Sequence, residues 1–260
     1  GISHGALDNI KGKKLLKLFG YKSLIYFYFA YIFISLSIIF CWLIFPNTVL
    51  SIFLIVAAYH FGKEDTVFFF KRRFLISEFL FFLKGSSIIL APLLLQRNET
   101  NEIFRFLNFN VFESAIFTDQ LLIVLLFLSF ISALYISNNK NVDFKGIMIM
   151  DFFSLIILNF FLTPILAFTL YFCFLHSVRH SITLIFELDK SLKPGLKKFM
   201  NKAIPLTLIT GVIFLFAIYF FNIFYKLDEA IYKVIFIGLA SLTFPHILLE
   251  YLLEKNEKRT

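Results

Sequence analysis

The sequence predicts an all-α, polytopic transmembrane bundle of about eight helices, and three observations carry that expectation. Apolar residues make up 59% of the 260-residue chain, charged residues 16%, and the mean hydropathy is +0.83. Globular proteins are about 45–50% apolar and about 25% charged, so lipid is the expected solvent for most of this surface. Apolar runs of roughly 20 residues recur, the length a helix needs to cross a hydrocarbon core of about 30 Å. Finally, the basic residues gather in alternate connections between those runs.

In chain order, the apolar runs predict helices near residues 24–45, 49–62, 74–95, 120–137, 146–162, 164–186, 203–225 and 231–253. Residues 1 to about 10 read as the end of a further helix, and because the chain opens on Gly1 a preceding segment is expected to be missing. Pro46, Pro164 and Pro205 fall at or near predicted helix starts, where a missing N–H costs little. The acidic connection from Gln96 to Asp119 carries Phe104, Phe106, Leu107, Phe109, Val111 and Phe112, and reads either as a loop cap or as a short interfacial helix. Cys41 and Cys173 lie far apart within apolar runs and predict no disulfide framework.

Lys11, Lys13, Lys14, Lys17, Lys22, Lys63, Lys71, Arg72, Arg73, Lys140, Lys145, Lys190, Lys193, Lys197, Lys198, Lys202, Lys255, Lys258 and Arg259 fall on one side of the predicted topology. Only Arg97, Arg105 and Lys226 fall on the other. The positive-inside rule assigns the nineteen-residue side and the C-terminus to the cytoplasm. The net charge of +8 is thereby topological and predicts no nucleic-acid partner.

All five histidines, His4, His60, His176, His180 and His246, stand in or at the ends of apolar segments. Strongly polar groups at membrane depth are costly and mark functional sites. Their offsets from the following lysines place four of them roughly 5–15 Å from the inner interface, with His176 one turn deeper. His176 and His180 are four apart, so both rings project from one helical face and suit a single ion. The spacing matches that of HExxH, but no Glu follows the first His, which excludes that metalloprotease motif. Asp8, Glu64 and Glu250 each follow a histidine by four residues and are candidates to accept its second ring N–H, or that of a neighbour. Glu64 and Asp65 read equally well as caps of a helix end. Imidazoles without thiolates suit iron, copper, zinc or nickel, and the ligand types alone do not choose among them. Glu78, Lys84, Asp151 and Arg179 are further intramembrane charges expected to pair, with Asp151 or Glu78 as partner of Arg179.

Together the segments GISHGALDN at the start, AAYHFGKED around His60, FCFLHSVRHS at 172–181 and TFPHILLE around His246 resemble the Brp/Blh family of membrane-bound β-carotene 15,15′-dioxygenases. The resemblance covers nearly the whole chain and implies a single integral membrane catalytic domain over residues 1–260 in the cell membrane. It implies an Fe(2+) centre that adds O2 across the central double bond of β-carotene, giving two all-trans-retinal for a retinal-binding rhodopsin. The family's iron ligands carry over to His4, His60, His176 and His180, with His246 either a fifth ligand or a support to one. Aromatic residues beside the motifs, Tyr59, Tyr171, Phe172 and Phe174, are then candidates to line a polyene channel.

Two other classes use intramembrane histidines. A b-type haem carrier needs paired axial ligands, which an HxxxH face fits poorly. A divalent-metal transporter needs groups strung across the bilayer, whereas these histidines collect toward one side.

Overall fold

The computed structural model describes residue 5 and residues 7–69, 78–138 and 146–257, and every described regular element is helical. Among the described residues six segments are long and apolar enough to cross a membrane: Ile25–Ile44, Glu78–Leu95, Asp119–Ser137, Pro164–Leu188, Leu192–Phe221 and Leu227–Asn256. Ile147–Phe161 is a shorter apolar helix. Pro46–Val67 is long enough but less apolar, because Asn47, His60, Lys63, Glu64 and Asp65 interrupt it. The chain is thus the expected polytopic helical bundle. The start of the predicted 74–95 helix, His4 and the basic residues Lys71, Arg72, Arg73, Lys140, Lys145, Lys258 and Arg259 lie outside the described residues.

The helices form two compact units. Residues 1–49 and 181–260 make the first. It holds α1 (Asp8–Leu18), α2 (Ile25–Ile44), most of α9 (Ser177–Leu188), α10 (Leu192–Phe221) and α11 (Leu227–Glu257). Leu15 of α1 packs on Leu249 and Leu253 of α11, with Phe27 of α2 beside them. Leu7 packs with Leu184, Ile185, Phe199 and Ala203. Long stretches of α2 and α10 leave Phe, Ile and Leu exposed, as helices facing lipid must.

α1 was not expected, because its lysines read as a loop. A narrow stripe of Leu7, Gly12 and Leu15 is buried while Lys13, Lys14 and Lys17 face outward. It ends in a Schellman turn: Gly20 takes φ +79°, its N–H meets Lys17 O at 3.1 Å and Tyr21 N–H meets Leu16 O at 2.9 Å. α10 likewise begins at Leu192, not near residue 203, since Gly195, Phe199 and Ala203 continue a buried face through the lysine-rich stretch. Pro205 therefore sits inside a helix, not at its start, and removes one backbone donor there. Ahead of α10, Asp189 accepts from Lys198 Nζ at 2.7 Å and from Ser191 N–H at 3.1 Å. Those donors, Lys198 first, hold its carboxyl down to about 2. The link is therefore complete above the ordinary carboxylate range and is lost only as pH falls toward that value.

Residues 50–180 make the second unit. It contains most of α3 (Pro46–Val67), then α4 (Glu78–Leu95), α5 (Arg97–Phe106), α6 (Asp119–Ser137), α7 (Ile147–Phe161) and α8 (Pro164–Leu170). A π-helical turn, Tyr171–His176, and the first residues of α9 complete it. The Gln96–Asp119 connection is a short helix, not a loop cap: Thr100, Ile103 and Phe104 are buried, and Asn108 in the left-handed region (φ 58°) ends it. Hydroxyls tie α6 to α4, Ser129 donating to Lys84 O at 3.0 Å and Ser132 to Leu80 O at 2.7 Å, the kind of polar contact that joins helices in lipid. Arg179 grips both oxygens of Asp151 at 2.7 and 2.6 Å, which resolves its partner, while Glu78 accepts from Tyr59 at 2.5 Å.

α3 and α4 cross at Gly62 and Gly85. A Cβ on Gly62 would stand 1.9 Å from Phe81 O, and one on Gly85 1.8 Å from Ala58 O. No side chain fits there, so the backbones themselves set the spacing of the helix that carries His60. Gly85→Ala is expected to destabilise the protein by about 1–3 kcal/mol or more, read as a lowered unfolding midpoint in detergent. Gly211→Ala, where nothing lies within 4 Å, serves as the matched control. An unchanged midpoint for Gly85→Ala contradicts the close crossing.

Candidate metal centre

Three histidines meet inside the second unit. His60 lies on α3, His176 closes the π-helical turn and His180 opens α9 one turn later. All three are more than nine-tenths buried. The His60 and His176 ring centroids are 5.5 Å apart with planes at 68°. The last turn of α3 supplies two carboxylates to the other helix: Asp65 Oδ1 stands 2.9 Å from His176 Nδ1 and Glu64 Oε2 3.4 Å from His180 Nδ1. Glu64 thus serves a neighbouring histidine, the second of the two options its spacing to His60 allowed.

A carboxylate at Nδ1 fixes which tautomer a neutral imidazole adopts. Nδ1 carries the proton and Nε2 keeps its lone pair for an electrophile. The Nε2 atoms of His176 and His180 are buried. Phe61 and Phe172 wall the cluster, with ring centroids 4.6 and 5.7 Å from that of His176.

In the first unit, His246 repeats the arrangement. Its Nδ1 lies 2.9 and 3.0 Å from the two oxygens of Asp8, and Tyr31 donates to Asp8 at 2.9 Å and to Leu242 O at 3.2 Å. Pro245 cannot donate within α11, so the backbone just ahead of His246 is relieved of one helical bond. Glu250, four residues after His246, pairs with Lys11. Asp8 thus faces a histidine other than His4, which it follows by four residues and which lies outside the described residues.

The four aromatic residues expected along a polyene channel have separate surroundings. Tyr171 is buried and its hydroxyl donates to Asp65. Phe172 stacks on Phe168 and His176. Tyr59 binds Glu78 and Lys63, and Phe174 is 67% exposed. An internal cavity of about 20 Å³ bordered by Phe61, Asp65, Lys84, Asp151 and Tyr171 holds about one water, far less than a long polyene requires. Asp65 and Tyr171 are the residues whose place here the sequence reading missed. Asp65 stands five positions after His60, off its helical face, and its partner His176 is 111 residues away.

Among the described residues no three His, Cys, Asp or Glu side chains stand at ion-holding distances. The donor chemistry nonetheless fits a first-row metal: buried imidazoles, with a carboxylate at the Nδ1 of His176 and of His180, in a dry setting.

No solved structure is significantly similar to this chain. Among curated proteins, a β-carotene 15,15′-dioxygenase from an uncultured marine bacterium (66A03) is 28% identical over 272 aligned positions, covering 100% of this chain and 92% of that protein. The family model for β-carotene 15,15′-dioxygenase matches residues 1–254, which include all five histidines and the carboxylates Asp8, Glu64 and Asp65. The chain belongs to the β-carotene 15,15′-dioxygenase family.

Proposed function

We propose that this protein cleaves the central 15,15′ double bond of β-carotene with O2 at a non-haem iron centre and releases two all-trans-retinal for a retinal-binding rhodopsin. The observation that carries the reading is the pairing of buried imidazoles with carboxylates at Nδ1 inside membrane helices, in a chain of this family. The proposed ligands are His4, His60, His176 and His180, with His246 a fifth ligand or a support. Bound there, Fe(2+) would supply the activation that ground-state O2 needs to react with a closed-shell alkene. The overall change balances without other reactants: one C=C bond is replaced by two C=O bonds, and each aldehyde takes one oxygen atom of O2.

The chain's own residues account for the surroundings such chemistry requires. Asp65 and Glu64 set the tautomers of His176 and His180, so both present Nε2. Phe61 and Phe172 exclude water beside His176, which protects a polyene from competing reactions. No general base or nucleophile is asked for, because the alkene has no proton to lose and no carbonyl to attack. Entry sideways from lipid suits a substrate that dissolves in the bilayer, and the apolar surfaces of α2 and α10 are in keeping with that setting.

In bacteria that accumulate β-carotene, the wild-type protein is expected to bleach the pigment and yield retinal. His176→Ala and His180→Ala should abolish retinal and lower bound iron while the protein stays folded. Full activity in either variant contradicts the ligand assignment. His246→Ala should lose most activity and keep part of the iron, and unchanged kinetics would reduce His246 to packing. The proposed orientation places the nineteen-residue basic side in the cytoplasm of the cell membrane. In a background without Cys41 and Cys173, Lys193→Cys should be labelled from the cytoplasmic side and Ser114→Cys from the opposite side. Labelling of both from one side contradicts that topology.

A further inference from the structure

The π-helical turn Tyr171–His176 joins two residues that a regular helix would separate. At 3.6 residues per turn, side chains five apart diverge by roughly 140°, whereas i to i+5 hydrogen bonding returns them to nearly one face. Tyr171 and His176 are five apart, and both reach the same carboxylate: Tyr171 donates to Asp65 Oδ2, and His176 Nδ1 lies 2.9 Å from Oδ1. Tyr171 is 2% and His176 1% exposed, so neither arrangement is set by solvent.

A second feature stands behind Asp65. Lys84 of α4, 8% exposed, borders the same small cavity as Asp65, Asp151 and Tyr171, and interacts electrostatically with both acids. Arg179 engages both oxygens of Asp151, and Lys84 is a second cation beside Asp151 and Asp65. An ammonium on a transmembrane helix is costly unless it offsets buried negative charge. Its neighbour Gly85 brings α4 against α3, the helix that carries Asp65.

We infer that Tyr171 and Lys84 are positioning residues: through Asp65 they hold His176 with Nδ1 protonated and Nε2 presented, and the π turn is the device that brings Tyr171 into register with His176. The metal-related part of this inference rests on the proposed iron centre. The tautomer of His176 does not.

The test compares wild type, Tyr171→Phe and Lys84→Met, with Asp65→Asn as reference. The readouts are the rate of iron release to a chelator, the EPR spectrum of the ferrous nitrosyl adduct, and the 15N spectrum of histidine-labelled protein. Tyr171→Phe removes one hydroxyl and keeps the packing. It is expected to retain the wild-type iron content while releasing iron about tenfold faster, with an altered nitrosyl spectrum and a mixed His176 tautomer. Lys84→Met should move the same readouts in the same direction, and Tyr171→Phe decides alone if Lys84→Met does not fold. Wild-type release rates, nitrosyl spectra and tautomer in Tyr171→Phe overturn the inference. Wild-type protein that binds no iron contradicts the proposed function, and the 15N tautomer in wild type against Tyr171→Phe then decides the positioning role by itself.

Discussion

Hydrocarbon offers a polar side chain no solvent partner, and that constraint organises this protein. Each polar group carried into a helix must find another carried by a different helix, or bear an uncompensated desolvation cost of several kcal/mol. Four carboxylates meet it across helices: Asp65 with His176 and Tyr171, Glu64 with His180, Asp151 with Arg179, and Asp8 with His246 and Tyr31. These pairs tie helices distant in sequence to one another, so the contacts that satisfy the polar groups also fix helix register. Apolar packing against lipid could not do this, because Leu and Phe are indifferent to whether lipid or protein covers them.

The same pairs prepare the histidines for chemistry. An imidazole bonded at one nitrogen to a carboxylate has its orientation and tautomer decided before any metal arrives, and its other nitrogen gains basicity. A site assembled this way needs little reorganisation on binding. The glycine crossing of α3 and α4 belongs to the same arrangement, since it sets how the helix bearing His60, Glu64 and Asp65 lies against the helix bearing Lys84. A cavity of about 20 Å³ beside Asp65 is too small for a polyene. The polar cluster is thus supporting structure around the imidazoles.

Much of the fold was legible because lipid imposes a simple rule on sequence. Long apolar runs mark spans, and α2, α6 and α7 begin and end close to where the runs do. What escaped were helices stabilised by something besides hydropathy. α1 and the first part of α10 are lysine-rich with only a narrow buried stripe, so they read as loops. α5, where the sequence allowed either a loop cap or a short helix, is decided by burial of Ile103 and Phe104 and a Schellman turn at Asn108. At the site, the i, i+4 rule found His176 and His180 and the acids Asp8 and Glu64. It missed Asp65 because that residue answers to a partner 111 positions away. It also missed the service of Tyr171 to that acid, because the rule assumes a regular α-helix and the chain is π-helical there. Four-residue spacing led the reading to Glu250 as well, whose partner is Lys11.

The central claim is that oriented imidazoles, and no sulfur or porphyrin ligands, hold iron in this protein. Iron K-edge X-ray absorption on the purified, iron-loaded protein tests it most directly. The account predicts nitrogen and oxygen neighbours only, with the outer-shell scattering of several imidazoles, and no Soret absorption in the same sample. Sulfur scattering, a porphyrin pattern or failure to retain iron at all would contradict it.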